Sequence, residues 1–170
     1  AYRVAGGSQL LPLRLAERLG ERVVVGAPVR SIAWSEGRVE VDAGHVRATG
    51  AHAVVAIPPN LTSAIRFLPV LPGWRMRLEQ GISQGVVIKV LAVYDHPFWR
   101  EDGLSGQGFA PAQLVREVYD NSTPTGEPGV LVTFLAGENA EAVSRLEPAA
   151  RRAAVLDGFA SYVGGRALDV

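Results

Sequence analysis

The stretch Val86-Val87-Ile88-Lys89-Val90-Leu91-Ala92-Val93-Tyr94 decides how the rest of this 170-residue chain is read. Its β-branched and aromatic content predicts a strand. Side chains alternate along a strand, so Val87, Lys89, Leu91 and Val93 share one face and Val86, Ile88, Val90 and Ala92 the other. Both faces are apolar, which predicts a strand covered on both sides and a lysine at least partly buried. Lys89 is also the single lysine among 17 basic residues, the other sixteen being arginine. A buried ammonium is costly unless it is paired or hydrogen-bonded, and burial lowers its pKa. The residues alone leave two readings open: a lysine that snorkels to an edge or pairs with a carboxylate, and a lysine held at a dry cofactor face.

Downstream of this strand, residues 104–110, 114–119 and 129–135 read as further strands, with turn chemistry at Asn121-Ser122-Thr123-Pro124-Thr125-Gly126. Residues 140–163 read as helical, with Pro148 starting a second helix that runs to Tyr162 before Gly164-Gly165. Upstream, residues 74–82 are a short helical candidate, and the proline-rich passage 68–73 marks the expected boundary between two structural units. Ahead of that boundary, Leu10, Leu11, Leu15 and Leu19 recur at helical spacing, with Ser8 as N-cap and Gly20 as the stop. Short β-like runs follow at 22–25, 29–34, 38–42 and 45–49, punctuated by Gly26, Glu36-Gly37 and Ala43-Gly44. Residues 51–57 read as a buried strand that Pro58-Pro59 ends sharply. Strands and helices come in blocks, which predicts an α+β fold: a mixed, mainly antiparallel sheet flanked by helices, preceded by a helix and a β-meander.

Composition removes several function classes. Seventeen basic residues balance seventeen acidic ones, and no basic stripe stands out, so neither nucleic acid nor an anionic membrane surface is an expected partner. The absence of cysteine excludes disulfide scaffolds, thiol catalysis, zinc ribbons and iron–sulfur clusters. No apolar run reaches the roughly 18–20 residues of a membrane span, and no signal-peptide pattern is seen at the N-terminus, so the expected compartment is the cytoplasm. His45, His52 and His96 are too scattered for a metal site, and none is expected. No Gly-x-Ser-x-Gly elbow or phosphate-binding loop is present, and Gly106-Gln107-Gly108 fails as a dinucleotide turn because Pro111 stands where a glycine is needed. Asn121-Ser122-Thr123 matches a glycosylation sequon but is better read as a turn. Glu117, on one strand face with Val115 and Tyr119, is either an exposed strand carboxylate or part of a site. Composition and spacing by themselves name no reaction.

Several segments taken together resemble the flavin-containing amine oxidases, the monoamine and polyamine oxidase family. The matching pieces are Arg3-Val4-Ala5-Gly6-Gly7-Ser8, residues 23–32 with Pro28-Val29, Ala53-Val54-Val55-Ala56-Ile57-Pro58-Pro59, and Ile65-Arg66-Phe67-Leu68-Pro69-Val70-Leu71-Pro72. The most specific is Val87-Ile88-Lys89-Val90 followed by Tyr94-Asp95-His96-Pro97-Phe98-Trp99-Arg100. Order and spacing hold to about Gly137. The resemblance implies FAD as cofactor, a small-molecule amine and O2 as reactants, and Lys89 as the catalytic residue, hydrogen-bonding a water beside flavin N5. It places Val29 at the adenine of FAD, Pro58 and Pro59 at a strand end beside the cofactor, and Glu117, Tyr119 and Phe134 in the substrate-cavity wall. A carboxylate at Glu117, where monoamine-preferring members carry an aromatic residue, implies a diamine or polyamine such as putrescine.

The same resemblance implies a domain organisation. Residues 1–65 would be an interposed segment of the FAD-binding domain, and residues 66–170 the substrate-binding domain. The family's N-terminal Gly-x-Gly-x-x-Gly unit and its C-terminal flavin-binding segment are not found in the chain, so it is expected to be a central piece that neither retains FAD nor turns over substrate alone. Apolar surface left open by such an arrangement predicts a homo-oligomer. Competing readings are a related flavoenzyme, such as an L-amino-acid oxidase, a protoporphyrinogen oxidase or a carotenoid desaturase, and a non-catalytic binding module in which Lys89 only pairs an ion. An amino-acid oxidase would want an arginine for the substrate carboxylate, and Arg116 would supply it if the strand register slipped by one.

Overall fold

The computed structural model describes residues 4–170, so Arg3 of the first matching segment lies outside the described residues. The chain divides into two compact units, Ala1–Ser83 and Gln84–Val170, and the proline-rich passage at 68–73 lies inside the first. Among the described residues no helix is long and apolar enough to cross a membrane.

The first unit opens with helix α1 (Leu10–Leu19), which begins without a side-chain cap from Ser8 and buries none of its residues. A meander follows: β1 (Ser31–Ser35), β2 (Arg38–Asp42) and β3 (Arg47–Gly50) pair antiparallel in turn. The β1–β2 turn is two residues long, and Gly37 takes a φ of 69° that would strain other residues. Strand β4 (Arg66–Leu68) then adds parallel to β1, giving the order β3-β2-β1-β4. The core here is thin. Ile32 and Ala43 are buried, and Trp34 meets Phe67 edge-on at 6.3 Å. Helix α2 (Gly73–Gly81) carries the buried Glu79, held by Arg75 one turn earlier at 2.9 Å.

Two expected strands are not formed. Residues 22–25 and 51–57 have no regular strand structure, and Val54 is 90% exposed instead of buried. Their valine-rich composition favours a pleated surface, but a strand needs a neighbour to satisfy its backbone, and among the described residues none lies alongside.

The second unit is built on β5 (Val87–Tyr94), the strand read first in the sequence. It pairs along its whole length with β8 (Gly129–Ala136), which pairs with β7 (Glu117–Asp120), which pairs with β6 (Gly108–Phe109). All pairings are antiparallel, in the order β5-β8-β7-β6. Strand β6 is far shorter than the expected run 104–110. Helices α3 (Glu138–Ser144) and α4 (Pro148–Val163) cover one face, with Pro148 at the helix start where its missing N–H costs nothing. Val143, Val155, Leu156, Phe159 and Val163 pack there against Ala92, Val118, Leu131 and Leu135. Gly158 lets α4 approach closely: a Cβ at that position would overlap the side chain of Val115.

Candidate functional site

The helices cover only one side of the second sheet, so the alternation along β5 sorts its residues sharply. Ala92 and Tyr94 are buried, whereas Val87, Leu91 and Val93 are exposed on the other face. Lys89 belongs to that open face and is exposed, which corrects the expectation of a lysine at least partly buried. Apolar residues on both sides of β5 indicate that both faces suit cover, and among the described residues of the second unit only the α4 side has it.

Strand register gathers the expected wall residues around Lys89. Lys89 stands directly opposite Phe134, with its Nζ 5.6 Å from the ring centroid, a cation–π contact worth about 0.5–1 kcal/mol when exposed. One step along, Leu91, Val132 and Tyr119 form a row across three strands. Glu117 and Tyr119 are two residues apart on β7 and share its face, and Tyr119 Oη donates to Glu117 Oε2 at 2.9 Å. The hydrogen bond to Glu117, with partial burial and the carboxylate charge behind it, pushes the Tyr119 hydroxyl above its ordinary pKa. Phe109, opposite Glu117 on β6, extends the aromatic lining. Lys89, Glu117, Tyr119 and Phe134 are thus brought together. Arg116 lies just before β7, while Tyr119 keeps its register with Val132, so the one-residue slip that would bring Arg116 onto this face is absent.

Val29, Pro58 and Pro59 belong to the first unit. Val29 lines a groove of about 450 Å³ with Ala27, Pro28 and the run 53–57, its walls almost wholly apolar. Among the described residues nothing hydrogen-bonds the main-chain N–H or C=O of Val29. Pro58 and Pro59 follow this run, are exposed, and open the 3-10 turn Pro59–Ala64, whose Thr62 hydroxyl donates to Pro59 O at 2.5 Å. An apolar slot with a free main-chain donor and acceptor suits the edge of a planar heteroaromatic ring such as adenine. No cluster of three metal-ligating side chains occurs among the described residues.

Sequence reading missed what supports this face from behind. Asp120, beside Tyr119 but pointing to the covered side, accepts from Trp99 Nε1 at 3.0 Å and from Arg100 Nε and NH2 at 2.9 and 2.7 Å. Its other oxygen accepts from the Ser122 main-chain N–H at 2.9 Å. The segment from Tyr94 to Arg100 is therefore a clamp: Tyr94, Phe98 and Trp99 interlock edge-to-face, and Tyr94 Oη donates to Ala167 O at 3.0 Å. A buried tryptophan followed by arginine asks for a carboxylate, but no local spacing says that it is Asp120.

Comparison with known proteins identifies the family. Residues 1–169 match the family described as flavin containing amine oxidoreductase. Putrescine oxidase of Kocuria rosea is 41% identical over 98% of this chain and 37% of its own length. An L-amino acid dehydrogenase of Synechocystis is 36% identical over 96% of this chain and 35% of its own. A structure of putrescine oxidase bound to putrescine superposes with a TM-score of 0.91 at 43% identity, over 96% of this chain and 37% of that one. The chain thus spans little more than a third of the relatives it matches. With a family match along nearly its whole length, this chain belongs to the flavin-containing amine oxidoreductases.

Proposed function

We propose that the chain is the substrate-binding part of an FAD-dependent oxidase acting on a primary or secondary amine, with a diamine such as putrescine as the preferred class. For a primary amine the overall reaction is amine plus O2 and water to aldehyde, ammonia and hydrogen peroxide, by way of an imine that hydrolyses. Bound FAD would supply the two-electron oxidising chemistry, with O2 as the final acceptor. Val29, Pro58 and Pro59 would help hold it, a role that the apolar groove at Val29 supports. The domain assignment of residues 1–65 to the flavin-binding part and 66–170 to the substrate-binding part belongs to the same proposal.

The chain's own residues bind and orient. The Tyr119 and Phe134 rings form walls that favour the neutral, reactive form of an amine by withdrawing water from it. Lys89, whose Nζ carries three donors, holds a water molecule near the reacting carbon. Glu117 meets a second, distal ammonium in a charge-assisted contact worth about 1.5–3 kcal/mol. An α-carboxylate substrate would instead want a cation at the Glu117 position.

The observation that carries this reading is the presence of Glu117 on the same open face as Lys89 and Phe134. Glu117→Ala in the whole oxidase is expected to lower the preference for a diamine over a monoamine of equal length. An unchanged preference would remove the diamine assignment. The isolated 170 residues hold no Gly-x-Gly-x-x-Gly turn and are expected neither to retain FAD nor to turn over substrate. Visible flavin absorbance in the purified chain would contradict that.

A further inference from the structure

We propose that Tyr119 is a positioning residue that sets which oxygen of Glu117 a substrate ammonium meets. The inference rests on the diamine reading above and adds to it a residue that fixes the geometry of recognition. Glutamate has three side-chain torsions, and a carboxylate on an open sheet face would sample many positions. Here Oε2 is taken by the Tyr119 hydroxyl at 2.9 Å, and among the described residues no other hydrogen bond reaches the Glu117 carboxylate. Oε1 is left to accept.

The backbone of Tyr119 has a defined register. It stands opposite Val132 in the ladder, and Phe134 follows two residues later on the same face of β8. A two-torsion aromatic side chain has fewer positions to sample than a three-torsion acid, so their hydrogen bond restricts the acid. The carboxylate is then oriented before a ligand arrives, and less ordering remains to be done on binding. Two consequences follow. The distance at which a second ammonium is recognised becomes defined, so diamines of one chain length are favoured over shorter and longer ones. The tyrosine hydroxyl, more than its ring, carries this effect, because the ring alone still supplies the apolar wall.

The test compares the wild-type whole oxidase with Tyr119→Phe, Glu117→Gln and the double variant, using a diamine and a monoamine of equal carbon number. Tyr119→Phe keeps the ring and is expected to lower the diamine/monoamine ratio of kcat/KM about tenfold. The loss should fall mainly on the diamine KM, and Tyr119→Phe should add little once Glu117 is already glutamine. If Glu117→Gln lowers the ratio and Tyr119→Phe does not, the positioning role is wrong and the diamine reading stands. If Glu117→Gln leaves the ratio unchanged, the diamine reading falls and takes this inference with it. Fully additive losses would likewise overturn the coupling. Near-ultraviolet titration gives a readout independent of turnover: Glu117→Gln should bring one tyrosine ionisation down in pH, and an unmoved titration would show that the hydrogen bond is not made.

Discussion

Trp99 donates its indole N–H to Asp120 Oδ2 at 3.0 Å, joining residues 21 positions apart through a carboxylate that Arg100 also grips. Trp99 has no exposed surface, and the Asp120 side chain is 10% exposed. The contact fixes the turn after β5 to β7, the strand that carries Glu117 and Tyr119 on its other side.

Removing that carboxylate should be costly. Asp120→Ala leaves a buried indole N–H without a partner, and the expected loss is about 2–3 kcal/mol by urea unfolding. Burial works to raise the Asp120 pKa, but the hydrogen bonds from Ser122, Arg100 and Trp99 outweigh it and hold the carboxyl below its ordinary value. A depressed folded-state pKa contributes stability above the unfolded value and loses it as pH falls through the folded one. The advantage of wild type over Asp120→Asn should therefore be full at neutral pH and shrink from about pH 4 downward.

Tyr94 makes the opposite prediction at the alkaline end. Burial pushes its hydroxyl up to about 12, against a smaller pull from the Arg152 charge. A raised tyrosine pKa means stability that is present below the unfolded value near 10 and lost as pH rises towards 12. Tyr94→Phe also loses the hydrogen bond to Ala167 O and should cost about 1 kcal/mol at neutral pH. The difference between the two proteins in urea midpoint should narrow above pH 10.

Gly158 inverts a familiar rule. In an exposed helix interior, Gly→Ala stabilises by about 1 kcal/mol. In α4 the added methyl would strike Val115, which is fully buried, so Gly158→Ala should instead destabilise by about 1–3 kcal/mol. Val115→Ala made in the same protein should recover part of that loss in thermal unfolding. Additive losses would show that the two side chains do not meet.

Lys89 separates structure from chemistry. Its exposed position predicts that Lys89→Met changes the stability of the 170-residue chain by no more than about 1 kcal/mol, the scale of the cation–π contact it removes. Under the proposed function, the same change in the whole protein should slow amine oxidation about a hundredfold, the scale on which misplacing reacting groups costs rate. Unaltered flavin reduction would instead favour a purely structural or binding role.

The second unit was the more legible half of the sequence. Strands β5 and β8 are long, β-branched and paired with each other over eight residues, so local pattern and tertiary need coincide. Pro148 announced the start of α4 for the same reason. Residues 51–57 misled because hydrophobicity records that a segment wants cover without saying which segment covers it. Lys89 misled in the same way: the apolar residues beside it pointed to burial, but one of the two faces they line is open. Of the site, the grouping of Glu117 with Tyr119 followed from two-residue alternation, and family resemblance brought Lys89 and Phe134 to them. The Trp99–Asp120 contact could not be read, because a hydrogen bond across 21 residues leaves no periodic trace.

Lys89 carries the only side-chain amine in these 170 residues, and it stands in the open. An amine-selective acylating or fluorescent reagent would therefore mark a single side chain, in the middle of the face where substrate is proposed to lie. Protection of that position by a tertiary amine, which forms no stable product with the reagent, would report occupancy of the face without turnover.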